Sequence, residues 1–222
     1  MKTARTLPGI WFVLCCALTV SGAEISGHIQ FIRAPGQSVS TAIVYAETVG
    51  DHAPVKPGHY QVTQHNKTFS PHVLAVPVGS TVSFPNADPI FHNVFSMSSP
   101  VPFDLGLYRA GMSKTLVFTE PAIYRIFCNI HPQMMAQLLV LPTQWITESD
   151  AQGTYRMDLP PGRYRLTAWS ERSSPITVPI ALESDRVTVP NITLDESHFI
   201  EVLHKNKYGQ DYPSNSYAPL RR

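Results

Sequence analysis

Residues 124–141 read YRIFCNIHPQMMAQLLVL, and the reading of this stretch decides the fold. A β-prone run (Tyr124, Ile126, Phe127) ends on Cys128, and a second run, residues 138–141, begins after Ala136. The short loop between them carries Cys128, His131 and Met134, each three residues beyond the last. Taken singly, Cys128 reads as a buried apolar thiol, and Met134 and Met135 read as core filler. Taken together, thiolate, imidazole and thioether match the trigonal Cys/His/His site with a long axial Met that suits copper. Such a site needs a second imidazole from elsewhere in the chain. His92, within FPNADPIFHNVFSM at 84–97, is the candidate.

Composition narrows the class. The 222 residues bound the chain at one or two domains, each large enough for a real core. With a net charge of +1, the chain lacks the basic footprint of a nucleic-acid binder. Twenty prolines among many Val, Ile, Thr and Tyr residues favour short strands and turns over helices. Beyond the N-terminus no run is long and apolar enough to span a membrane.

Residues 1–23 read as an export signal. Lys2 and Arg5 form the positive end, residues 10–20 the apolar segment, and Ser21-Gly22-Ala23 the small-residue cleavage site. The expected location is periplasmic or secreted. Cys15 and Cys16 lie inside the apolar segment, so cleavage near Ala23 reduces three cysteines to one. Cys128 then has no intramolecular partner in a compartment where disulfides are usual, and a bound metal would protect it from oxidation.

Along the chain, ISGHIQFI (25–32) and STAIVYAE (40–47) read as two strands around the turn-like APGQ. Residues 51–58 read as a linker. The segments at 60–71, 72–79 and 80–86 alternate and are punctuated by Pro71, Pro77, Gly79 and Pro85, the spacing of an antiparallel sandwich. Residues 96–112 form a Pro-containing excursion, expected to be a plain crossover connection. His28, His52, His59 and His65 have no partner motif and are expected at the surface or in loops; His72 falls on a predicted strand.

Across residues 59–142 the sequence resembles the cupredoxins, the blue copper proteins. CNIHPQM is similar to the short ligand loop of amicyanin, with His three and Met six residues after Cys. The resemblance implies an eight-stranded Greek-key β-sandwich with one type 1 copper ion at one end. It assigns His92, Cys128, His131 and Met134 as ligands. It also implies that Asn93 ties the two ligand-bearing segments together near the Cys sulfur. Ala122 and Ala136 depart from the pattern, where glycine is usual; neither is a donor. Other metal centres fit less well. A binuclear thiolate-bridged site needs two cysteines, multicopper oxidases need His-x-His pairs, and structural zinc favours more Cys or His and no Met.

From Trp145 the sequence changes character. ESDAQGTYRMDLPPGRYRLTAWSE (148–171) alternates around Pro160-Pro161-Gly162 and resembles transthyretin-like modules related to carboxypeptidase regulatory domains. In such modules the pattern follows two opening strands of the kind found here at 24–50, ahead of the copper segment. The expected architecture is therefore all-β: a cupredoxin sandwich at 59–142 inserted into a second small β-sandwich made of 24–50 and 143–195. The alternative is that residues 25–47 add strands to the cupredoxin sheet. Residues 196–222 read as a polar, flexible tail or surface arm.

These residues point to an exported, non-enzymatic type 1 copper protein that passes single electrons between redox partner proteins, such as a c-type cytochrome or a dehydrogenase. Little rearrangement between Cu(I) and Cu(II) is the expected basis of its outer-sphere transfer. His131 is expected near the surface among apolar residues such as Pro89 and Pro132, a weak docking patch for brief encounters. A periplasmic copper carrier or sensor, and a cell-envelope binding module with an accessory copper site, are the alternatives.

Overall fold

The computed structural model describes residues 23–50, 54–183, 186–200 and 204–212. The export signal expected at 1–23 lies outside these residues except for Ala23, which is buried as the first residue of the first strand. His52 also lies outside them. The fold is all-β, with no helix among the described residues.

In chain order, β1 (Ala23–Ile32) and β2 (Ile43–Thr48) come first. Next are β3 (His59–Gln61), β4 (Thr63–His65), β5 (Thr68–Ser70), β6 (Val73–Pro77) and β7 (Thr81–Pro85). They are followed by β8 (His92–Ser96), β9 (Phe103–Tyr108), β10 (Ser113–Val117), β11 (Ala122–Phe127) and β12 (Met135–Leu141). The last group is β13 (Ile146–Glu148), β14 (Thr154–Leu159), β15 (Gly162–Trp169), β16 (Ile176–Leu182), β17 (Arg186–Thr188) and β18 (Ile192–Asp195).

Strands β3 to β12 form one sandwich. A five-stranded sheet, β6-β12-β11-β8-β9, faces a three-stranded sheet, β10-β7-β3, and β4 and β5 pair as a separate hairpin. Its core joins Val82 and Phe84 of the smaller sheet to Val94, Ile126 and Leu138 of the larger one. The excursion at 96–112 is not a plain crossover. It contains β9, which pairs antiparallel with β8 because FDLGLY resumes a strand pattern once Pro100 and Pro102 are passed.

The second sandwich is built from both ends of the chain. β1 pairs with β14 from Ala23↔Leu159 to His28↔Thr154, and β2 pairs with β15 from Thr48↔Tyr164 to Ile43↔Trp169. Its core takes Ile25, Ile29, Val44 and Ala46 from before the inserted sandwich, and Tyr155, Leu159, Leu166 and Leu194 from after it. The strict alternation of β14, TYRMDL, sends Tyr155, Met157 and Leu159 inward. The turn ahead of β14 requires glycine. Gly153 has φ +87°, its carbonyl accepts the Ile29 N–H at 2.7 Å, and a Cβ there would run into the Ile29 carbonyl oxygen.

A third apolar cluster, Ile43, Leu139, Leu141 and Trp169, joins the two sandwiches. Beside it, the His72 ring bonds the Met135 carbonyl at 3.1 Å and the Glu171 carboxylate at 2.7 Å. His72 precedes β6 rather than lying on a strand.

The Glu171 hydrogen bond raises the His72 pKa above its ordinary 6.5, against the opposing effect of burial. Burial pushes Glu171 up, but the His72 bond and charge outweigh it and leave its carboxyl below the ordinary 4.5. The His72 contribution to stability is therefore complete below pH 6.5 and fades as pH rises through the raised value. The Glu171 contribution is complete above pH 4.5 and fades as pH falls through the lowered value. Replacing His72 by Gln should cost roughly 0.2–1 kcal/mol in urea unfolding, the range for a pair this exposed. That cost should be greatest between pH 4.5 and 6.5 and shrink on both sides. A cost that does not vary with pH would contradict the assignment.

Candidate metal centre

Antiparallel pairing of β11 with β12, ending at Phe127↔Met135, leaves residues 128–134 as the connecting loop. Two backbone bonds tighten it: Cys128 N–H to the Met134 carbonyl at 3.3 Å, and Met134 N–H to the His131 carbonyl at 2.9 Å. β8 is the next strand in the sheet, pairing at Phe95↔Phe127, so His92 at its start lies beside Cys128.

Three donor atoms converge. His92 Nδ1 lies 3.0 Å from His131 Nδ1, and Cys128 Sγ lies 3.9 Å from the former and 3.7 Å from the latter. The point equidistant from all three is about 2.1 Å from each, close to the roughly 2.0–2.3 Å of zinc–nitrogen and zinc–sulfur bonds. One ion fits that position. His92 and Cys128 are 0% exposed, and His131 is partly exposed.

The surroundings prepare these atoms as donors. The Asp88 carboxylate bonds His92 Nε2 at 2.7 Å, which places the proton on Nε2 and leaves the Nδ1 lone pair facing the cluster. The same carboxylate accepts the Asn66 N–H at 2.6 Å and the Lys67 N–H at 2.8 Å. Burial pushes the Asp88 pKa up, but these three bonds outweigh it and hold the group below the usual carboxylate range. Burial, with His92 and Lys67 nearby, holds His131 below its ordinary pKa, which favours the neutral form able to act as a donor. Burial raises the Cys128 thiol, opposed by the N–H groups of Asn93, Ile130 and His131. A bound cation would supply the remaining push toward thiolate.

Asn93 bridges the two segments. Its N–H points at Cys128 Sγ over 3.5 Å, its Oδ1 accepts the Asn129 N–H at 3.3 Å, and its Nδ2 bonds Asp104 at 2.7 Å. Met134 is fully buried in the same apolar cluster as Cys128, whereas Met135 is already the first residue of β12 and is partly exposed. His28, His59 and His65 are exposed on β1, β3 and β4; His65 reaches Asp88 at 3.7 Å but not the cluster. Among the described residues, His92, Cys128 and His131 form the one group of three or more His, Cys, Asp or Glu side chains able to share an ion.

Three residues at the site had no sequence signal. Asp88 is one of the chain's many carboxylates until the Asn66-Lys67 turn folds onto it. His204 and Tyr212 belong to the segment expected to be a flexible tail. Instead, residues 204–212 pack on the ligand loop, with Tyr212 Oη donating to the Cys128 carbonyl at 2.8 Å. They also correct the expectation that Pro132 lines an open surface patch, since Pro132 is buried and its carbonyl bonds His204.

Asp88→Asn keeps the shape of the side chain but leaves one oxygen to serve three N–H donors. Affinity for Cu(I), measured by chelator competition, should fall about 10–100-fold, the usual cost of losing an outer-shell partner. An unchanged affinity would remove Asp88 from the site.

Over about a third of its length the chain is similar to solved cupredoxins. A purple cupredoxin from Nitrosopumilus maritimus matches at 26% identity and a TM-score of 0.34, over 36% of this chain and 98% of that one. A reduced mutant of amicyanin matches at 25% identity and a TM-score of 0.35, over 36% of this chain and 80% of that one. The copper-containing nitrite reductase of Thermus scotoductus SA-01 matches at 28% identity and a TM-score of 0.37, over 50% of this chain and 28% of that one. None of these similarities supports the transthyretin-like pattern in the second sandwich. No family model matches the chain, and no curated protein matches it.

Proposed function

We propose that this protein is an exported electron carrier with one copper ion, which His92, Cys128 and His131 would hold, with Met134 as the fourth donor. The observation that carries the reading is the convergence of one thiol and two imidazoles on a single point. Copper held there supplies one-electron chemistry by cycling between Cu(I) and Cu(II). Thiolate, imidazole and thioether together favour copper over metals that prefer oxygen donors.

The chain's part is to fix geometry. Asp88 orients His92, Asn93 directs an N–H at Cys128 Sγ, and the bond from Met134 N–H to the His131 carbonyl holds the loop closed. A site fixed in this way rearranges little when its charge changes. Four side-chain ligands leave no open position for a substrate, so the reading is a carrier and not an enzyme.

His131 is the partly exposed member of the set, and its neighbours supply an apolar rim. Phe91 is 56% exposed, Ile130 40% and Ile90 36%, with Pro89 exposed beside them. A small apolar surface around the ligand edge suits brief docking by a redox partner protein, such as a c-type cytochrome or a dehydrogenase.

The copper-loaded protein should absorb strongly in the visible through thiolate-to-copper charge transfer, and Cys128→Ser should abolish the band. A strongly coloured Cys128→Ser protein would refute the assignment. Met134→Leu should keep the colour and raise the reduction potential, because the oxidised ion loses a donor more than the reduced one does. Met135→Leu conserves volume on a side chain outside the buried cluster and should change neither property. The opposite pattern in voltammetry would shift the ligand register by one residue.

A further inference from the structure

The segment His204 to Tyr212 lies far along the chain from the ligand loop, yet it lies against it. Upstream, the chain is anchored at Glu196, a buried carboxylate that accepts hydrogen bonds from Ser40 and Ser170, each at 2.7 Å. Within the segment, Asn206 organises a closed turn. Its side-chain oxygen accepts the N–H groups of Tyr208 and Gln210 at 2.9 and 3.0 Å, and its carbonyl accepts that of Gly209 at 2.9 Å. Such a turn presents its flanks with little freedom left to lose.

Those flanks meet the loop at successive points. His204 Nε2 donates to the Pro132 carbonyl at 2.7 Å, and its ring stacks on Phe127 with centroids 4.1 Å apart. Lys207 N–H donates to Asn129 Oδ1 at 3.0 Å. Tyr212, 7% exposed and edge-on to His204, donates to the Cys128 carbonyl. A second link runs through side chains. Lys207 Nζ pairs with Asp104 at 2.6 Å, and Asp104 holds Asn93, whose N–H faces Cys128 Sγ.

We propose that residues 204–212 form the outer wall of the metal centre, with His204, Lys207 and Tyr212 acting as positioning residues for the loop and its sulfur. This rests on the reading of His92, Cys128 and His131 as copper ligands. The wall fixes the carbonyls on either side of His131 from outside, where the loop's own two backbone bonds do not reach. It also covers the loop at Cys128 and Pro132, while Ile130 and Phe91 stay exposed. The segment slows loss of the metal and tunes the field at the sulfur through Lys207, Asp104 and Asn93.

The test uses the full-length, copper-loaded protein and variants at three positions, Tyr212, His204 and Lys207. Transfer of Cu(I) to an excess of chelator should be about fivefold faster in Tyr212→Phe, the effect of one net buried hydrogen bond. It should be faster still in the Tyr212→Phe/His204→Ala pair, while His204→Gln, which keeps a donor for the Pro132 carbonyl, should recover part of the loss. Lys207→Gln should shift the reduction potential and the charge-transfer band, which a merely structural contact would leave in place. Tyr212→Phe removes a single oxygen, so the metal-free variant should melt close to the parent. If the parent is coloured and every variant releases copper at the parent's rate with an unmoved potential, the wall is refuted and the copper reading stands. A parent that takes up no copper refutes both.

Discussion

The Asp88 carboxylate ties one imidazole of the cluster to a turn from another part of the sandwich. Asn66 and Lys67 form the two-residue tip of the β4–β5 hairpin, both with positive φ (52° and 54°), a conformation that side chains other than glycine adopt at some cost. Asp88 accepts the N–H of each and bonds His92 Nε2 as well. A buried carboxylate is costly unless it is fully hydrogen-bonded, and here that demand recruits a strained turn to one side and an imidazole to the other. The consequence is orientation: His92 Nε2 is held by the carboxylate, and its Nδ1 is turned toward Cys128 and His131.

The second constraint is the way one sandwich is carried by the other. The inserted strands leave and rejoin the split sandwich at neighbouring points. Thr143 Oγ1 donates to the Ala46 carbonyl at 2.6 Å, and Ala46 N–H donates to the Trp145 carbonyl at 3.0 Å. Close ends let a compact unit be inserted without distorting its host. The apolar junction of Ile43, Leu139, Leu141 and Trp169 then binds β12 directly to the host. β12 carries Met135 at its start, so the strand that closes the ligand loop is braced at its far end by a separate core. Residues 204–212 hold the same loop from another part of the chain, through hydrogen bonds to the Pro132 and Cys128 carbonyls.

Much of this was legible in the sequence because it is local. Cys128, His131 and Met134 share one loop of fixed length, and the chemistry of their donor atoms restricts the ion regardless of the surroundings. Strand alternation placed the loop between two strands, and Met134 and Met135 had to point to different sides once the second of them entered β12. The strands at 25–32 and 40–47 were legible from their own alternation, but their pairing with 154–169 was expected only through a resemblance, beside the alternative that they extend the other sheet, and the register decided between the two. The strand in 96–112 was obscured by its prolines, although FDLGLY alternates once they are passed.

Tertiary structure alone decided the rest. Asp88 is an ordinary acidic residue in a Pro-containing loop, and it becomes a partner of His92 only where the β4–β5 turn covers it. Residues 204–212 are polar and carry no hydrophobic period, so by composition they resemble a solvated arm. Their place is set by hydrogen bonds to backbone carbonyls, from His204 to Pro132 across 72 residues and from Tyr212 to Cys128 across 84. A backbone carbonyl is present at every position, so such a bond selects no residue type at its acceptor and leaves no local pattern. Three of the four proposed donors, Cys128, His131 and Met134, share one loop, while His92 and the groups that hold and enclose the set depended on which distant segments the fold brought within hydrogen-bond reach.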